Sequence, residues 1–142
     1  MKTPKPARGF SLIEVLVGLF LVAVAVLGLA ELFLVAVANN LKADRVANAT
    51  FLAQQEIDWL RGLTAAEISA CGSLTDEVID MNSDGTNDYR RLTSISAASA
   101  VSYDIQVRVY SAENIGVADP QDLIDQPELY RARALVSTII TR

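Results

Sequence analysis

From Val15 to Ala30 the chain carries no charged residue, and after Glu31 the apolar character resumes from Leu32 to Ala38. As a helix, residues 15–38 would rise roughly 36 Å, enough to cross about 30 Å of hydrocarbon. Beyond it, Val46, Ala49, Ala53, Ile57 and Leu60 recur at three- and four-residue steps, while Asp44, Asn48, Gln55 and Asp58 lie off that stripe. This period predicts that the helix continues as an amphipathic one, with Phe51, Leu52 and Trp59 widening its apolar contact. Gly62 supplies the stop. A helix from about Phe10 to Arg61 would be roughly 75–80 Å long.

The pattern then changes to a period of two. Val101, Tyr103, Ile105, Val107 and Val109 alternate with Ser102, Asp104, Gln106 and Arg108, as a strand with one buried face requires. A second run, Arg131 to Thr141, is rich in Leu, Val and Ile. The segment between them contains Pro120 and Pro127 and reads as a surface loop. A shorter strand pair is expected to flank Asp84-Gly85, a hairpin dipeptide. The predicted fold class is α+β: a long N-terminal helix laid across three or four antiparallel strands.

At 142 residues there is room for one small domain, and a hydrophobic fraction of 51% is accounted for by the apolar N-terminal stretch. The net charge is −5, but Lys2, Lys5 and Arg8 all precede that stretch; without residues 1–9 the balance is 17 acidic to 9 basic residues. An acidic head argues against nucleic-acid binding, which relies on cations neutralising phosphates. The basic leader reads as a cytoplasmic flank, which places the head outside the cytoplasm. His is absent, removing the commonest general base and metal ligand. Cys71 is the single cysteine and has no basic neighbour to activate it, so it reads as a small residue after the helix.

A secretory signal places small residues at a cleavage site after the apolar core. Here the small residue, Gly9, sits between the basic leader and the core, and the apolar run continues long enough to remain in a membrane. Glu14 is the anomaly. An unpaired carboxylate near the membrane centre costs on the order of 3 kcal/mol, less near the edge, to which an isolated acid would reach. This acid is not isolated from its context. The segment Arg8-Gly9-Phe10-Ser11-Leu12-Ile13-Glu14-Val15-Leu16-Val17 resembles the class III signal of type IV prepilins.

The resemblance implies that a membrane-embedded prepilin peptidase cuts after Gly9 and methylates Phe10, leaving Glu14 as the fifth mature residue. It implies that Glu14 pairs with the N-terminal amine of a neighbouring subunit, which makes two otherwise costly charges tolerable in an apolar bundle. The implied organisation is a leader at 1–9, a transmembrane and filament-core helix at 10–38, an amphipathic half at 39–62 and a β head at 63–142. Its partners would be other pilins, the peptidase and the inner-membrane assembly machinery, with the chain passing from the bacterial inner membrane to a pilus or pseudopilus. Gly18, Gly28 and the alanines would permit close helix packing. Many major pilins carry proline where this chain has Glu31, and this departure leans toward a minor subunit or pseudopilin. Residues 47–58, with Leu52-Ala53-Gln54-Gln55, are similar to PilV-type minor pilins, and the I-type pseudopilins of type II secretion look alike here. Asn48-Ala49-Thr50 fits a glycosylation sequon but falls on the predicted helix.

One loop suggests a binding site. Asp80, Asn82, Asp84, Thr86 and Asp88 fall at alternate positions around Gly85, the oxygen-donor spacing a hard cation such as Ca²⁺ needs. Arg91 stands where an EF-hand has its bidentate Glu, and the same residue types also make an acidic hairpin turn. The head shows no nucleophile paired with a base and no phosphate-cradling loop, so catalysis is not expected. Three functions stay open: a minor pilin serving twitching, adhesion or DNA uptake, a pseudopilin, and a membrane-anchored binding or enzymatic domain.

Overall fold

The computed structural model describes residues 9, 11–99, 101–112, 116 and 118–142. The expected leader residues Lys2, Lys5 and Arg8, and Phe10 itself, lie outside the described residues. The chain divides into two compact units, one ending at Leu41 and the other running from Lys42 to Arg142. Helix α1 spans Leu12–Gly62. In the first unit its large apolar side chains, from Leu12 to Val37, are all exposed. A helix apolar on every side and covered by nothing is one meant for lipid or for other helices.

In the second unit α1 buries Ala49, Leu52, Ala53, Glu56, Ile57 and Leu60. Four strands complete it: β1 (Leu74–Ile79), β2 (Tyr89–Ser99), β3 (Ser102–Ser111) and β4 (Ala134–Thr141). They pair antiparallel in chain order, β1-β2-β3-β4. The expected α+β architecture, a long N-terminal helix packed on a small antiparallel sheet, is the one observed. Register is set by alternation: Ile105, Val107 and Val109 face α1, and each is fully buried with Leu60, Ala49 and Ala53 in one core. The two alanines matter because they keep the helix surface low where the sheet approaches.

Several expectations need correction. Phe51 and Trp59 do not widen the apolar contact; they are 56% and 54% exposed. At about 100° per residue they point away from the arc centred on Ala53, Ile57 and Leu60, whereas Glu56 falls inside it. Val46 is also exposed, and Val101 lies outside β3 with its side chain in solvent. β4 begins at Ala134 rather than Arg131.

The segment expected as a surface loop holds helix α3 (Pro120–Asp125), capped by Asp119 with Pro120 in its first turn. It forms a second small core on the sheet face away from α1, where Leu92, Tyr110 and Leu123 are all fully buried. The Tyr110 hydroxyl donates to the Leu123 carbonyl. A short helix, α2 (Ala65–Ala70), follows α1 and starts with a capping box between Thr64 and Glu67. Cys71 caps its end and is half-buried.

If α3 is a true part of the core, Leu123→Ala should lower the unfolding free energy by about 2–4 kcal/mol. Denaturant unfolding of the full chain in detergent checks this; a change below about 0.5 kcal/mol would return the segment to the status of a loop.

Candidate functional site

The N-terminal segment comes first. Gly9 is exposed and non-helical. The Ser11 carbonyl accepts from the Glu14 and Val15 amides at 3.0 and 3.2 Å, which starts α1. Ser is a favoured residue at that position, and Glu14 in the first turn complements the helix dipole. Glu14 is exposed, as are the apolar residues that follow it. A Cβ built on Gly18 or Gly28 meets no atom within 4 Å, so nothing among the described residues requires glycine there. Glycines without an internal reason on an uncovered apolar helix are suited to close approach by another helix.

In the head, sequence reading missed an ion cluster that ties α1 to the sheet. Arg91 of β2 reaches Glu56 of α1 at 2.8 Å and Glu77 of β1 at 2.5 Å through Nη2. Its Nη1 donates to the Leu52 carbonyl at 3.2 Å. Arg91 therefore grips the helix by a side chain and by backbone. The three residues line a cleft of about 510 Å³ with Leu52 and Trp59. Burial pushes the Glu56 carboxyl above its ordinary value, against the opposing pull of Arg91, with Glu77 adding to the rise. The missed signal was Glu56 inside the apolar arc of α1, an acid that has to find a cation. On the opposite face Arg90 holds Asp76 through two bonds, at 2.9 and 2.6 Å, and the Ala118 carbonyl at 3.0 Å.

The 80–88 loop closes the β1–β2 hairpin, with the Asp88 amide donating to Ile79. Asp80 Oδ2 accepts from the Gly85 amide at 2.8 Å, and Gly85 has φ of 86°, a conformation glycine tolerates. Asp88 Oδ2 accepts from Met81, and Asn82 Oδ1 accepts from Asp84. Asp84 Oδ1 accepts both the amide and the hydroxyl of Thr86, which holds its carboxyl below the usual range. One side-chain oxygen each of Asp80, Asn82, Asp84 and Asp88 thus accepts from the loop's own N–H groups. Asp80 Oδ1 is buried without a partner. Among the described residues no group of three or more His, Cys, Asp and Glu is placed to hold a metal ion. Asn48 and Thr50 of the sequon sit half-buried on α1, Thr50 bonded back to Val46.

Two measurements follow from this geometry. A raised Glu56 pKa means that the folded head takes up a proton before the unfolded chain does, so its contribution to stability is present at low pH. It is lost as pH rises through the folded value. The melting temperature should therefore gain a component between pH 7 and the ordinary carboxylate value that Glu56→Gln removes; identical pH profiles for the two proteins would contradict the assignment. For the loop, added millimolar Ca²⁺ separates the two readings: a turn closed only by its own donors shows no change in melting temperature. A rise that Asp80→Asn abolishes is the result a calcium loop requires.

Comparison with known proteins adds one match. Residues 4–30 fit the family model for the prokaryotic N-terminal methylation motif. No curated protein and no solved structure matches the chain. The matched segment contains Gly9, Phe10 and Glu14 and runs into the uncovered apolar half of α1. Together with α1 packed on its antiparallel sheet, this N-terminal motif supports a type IV prepilin-like protein.

Proposed function

We propose that this chain is a minor pilin that takes part in assembling or modifying a type IV pilus. The observation that carries the reading is the conjunction of the methylation motif with a helix that is apolar and exposed on all sides. α1 is long and apolar enough to cross a membrane. A pilin-type motif marks a structural subunit, and the motif is consistent with processing by prepilin peptidase and assembly with other pilins.

The mechanism follows from the cost of leaving that surface uncovered. Cleavage after Gly9 frees Phe10, which is then methylated at its amine. Residues 10–38 hold the subunit in the inner membrane with the head outside the cytoplasm. On extraction, the faces of Leu, Val, Ala and Gly exchange lipid for neighbouring helices, and Gly18 and Gly28 allow close packing. Glu14 meets the new amine of a neighbour and sets the register between subunits, since a buried carboxylate needs a partner. The same physics would serve a pseudopilin of a type II secretion system, a short periplasmic assembly; the absence of proline at Glu31 suits either.

Mass spectrometry of sheared filaments and of membranes, for the native chain and for Glu14→Ala, tests the proposal. The expected result is N-methylated Phe10 in sheared filaments for the native chain. Glu14→Ala should be cut and methylated as well, yet fall at least about tenfold in filaments while accumulating in membranes. Processed native chain confined to membranes would move the assignment to a pseudopilin. An intact leader in every fraction would overturn it in favour of an anchored binding or enzymatic domain, and normal incorporation of Glu14→Ala would remove the pairing role.

A further inference from the structure

The head contains a buried cation that its neighbours do not neutralise. Arg108 of β3 is 9% exposed, like Arg90 at 6%, and both lie on the sheet face away from α1. Arg90 is ion-paired to Asp76 and Arg91 to two glutamates. Arg108 has only neutral partners: Nη2 donates to Gln106 Oε1 at 2.9 Å and Nη1 to Ser94 Oγ at 3.5 Å. Its buried Nε–H has no partner at all. Two of the five N–H donors of a guanidinium are thus engaged, both by neutral oxygens. Among the described residues Arg108 forms no ion pair.

A buried charge without a counter-ion is costly, and arginine cannot escape the cost by losing its proton. The surroundings show where a counter-ion would enter. Arg108 lines a cavity of about 340 Å³ whose floor is formed by β2 and β3 and whose side is formed by Gln121 and Ile124 of α3. Cross-strand pairing puts Ser94 beside Gln106 and Ser96 beside Asp104, so hydroxyl and amide groups lead along the floor to the arginine. Ser94 donates its own proton to the Gln106 carbonyl, which leaves its oxygen turned to Arg108 as a weak, neutral stand-in for an anion. Asp104 lines the same cavity four residues along the strand from Arg108.

We infer that this cavity is a binding site for a small oxyanion, a carboxylate or a phosphate group, which Arg108 would hold by charge-assisted hydrogen bonds. Ser94, Gln106 and Gln121 would supply neutral contacts around it, and Asp104, on the same cavity, would weaken the hold by repelling any anion bound there. The site is independent of the assembly role of α1. The head is acidic overall, so diffuse attraction of anions to a basic surface does not imitate binding here.

The test is thermal unfolding of the full chain in a neutral detergent, with inorganic phosphate or acetate added at constant ionic strength against chloride. Either anion should raise the midpoint in a dose-dependent way, by roughly 5–10 °C at twenty times its dissociation constant. The larger response identifies phosphate or carboxylate as the preferred group. Arg108→Gln should abolish the response, and Arg108→Lys should retain part of it. Asp104→Asn, which leaves the arginine and its contacts intact, should lower the half-effect concentration about threefold or more. That variant keeps the inference testable if Arg108→Gln fails to fold. No response to either anion at 100-fold molar excess and up to about 0.1 M would overturn the site. So would an equal response in Arg108→Gln, or a half-effect concentration in Asp104→Asn that is unchanged or higher.

Discussion

The structure depends on how one helix is covered. α1 changes character within a single run of hydrogen bonds: its first half is apolar on every side, and its second half offers the sheet only the arc from Ala49 to Leu60. The sheet can lie close because Ala49 and Ala53 have almost no side chain to displace. Ile105, Val107 and Val109 then complete a core that a strand pairing slipped by one residue would turn to the wrong face. The apolar side chains of the first half are exposed among the described residues. Its stability has to come from another apolar phase, and both lipid and a helix bundle qualify.

Hydrophobic contact is non-directional, so packing of the arc from Ala49 to Leu60 is complemented by a directional contact. Arg91 supplies it. By binding Glu56, Glu77 and the Leu52 carbonyl together it fixes the helix against β1 and β2 at one longitudinal position. The arrangement is not a source of net stability in any simple sense, since Glu56 is desolvated enough to resist ionisation even beside a guanidinium. Its value is positional, comparable to a polar residue that sets register in a coiled coil. Arg90 does the corresponding task on the other face, where its bonds to Asp76 and the Ala118 carbonyl draw the segment before α3 onto the sheet.

What the sequence made legible was what repeats. The charge-free run to Ala30, the three-and-four spacing from Ala49 to Leu60 and the strict alternation in β3 each repeat a single physical requirement, and the elements they predict are present. Single-residue signals were harder to weigh. Thr64 and Glu67 form a capping box, and Asp119 followed by Pro120 is a helix start, yet each opens a helix of only six residues, too short to show a period. Phe51 and Trp59 are bulky and apolar, yet their positions on the helix wheel put them outside the arc. The ion clusters were illegible for a different reason. Glu56 and Arg91 are 35 positions apart, and only the packing of helix on sheet makes them neighbours.

The two faces of the sheet therefore have separate duties, and this bears on what the head can contribute. One face is consumed by the second half of α1, its core and its clamp. The other is only partly covered: α3 seals the end near Tyr110 and Leu123, and polar residues floor the rest. Alternation along β2 and β3 enforces the division, because Thr93 and Ile95 must serve the helix side while Ser94 and Ser96 cannot reach it. Substitutions at Ser94, Ser96, Gln106 or Arg108 can thus alter this polar face without disturbing the core that holds α1 to the sheet. A head whose one sheet face is fixed by packing against a helix can vary most readily on the face that the helix does not touch.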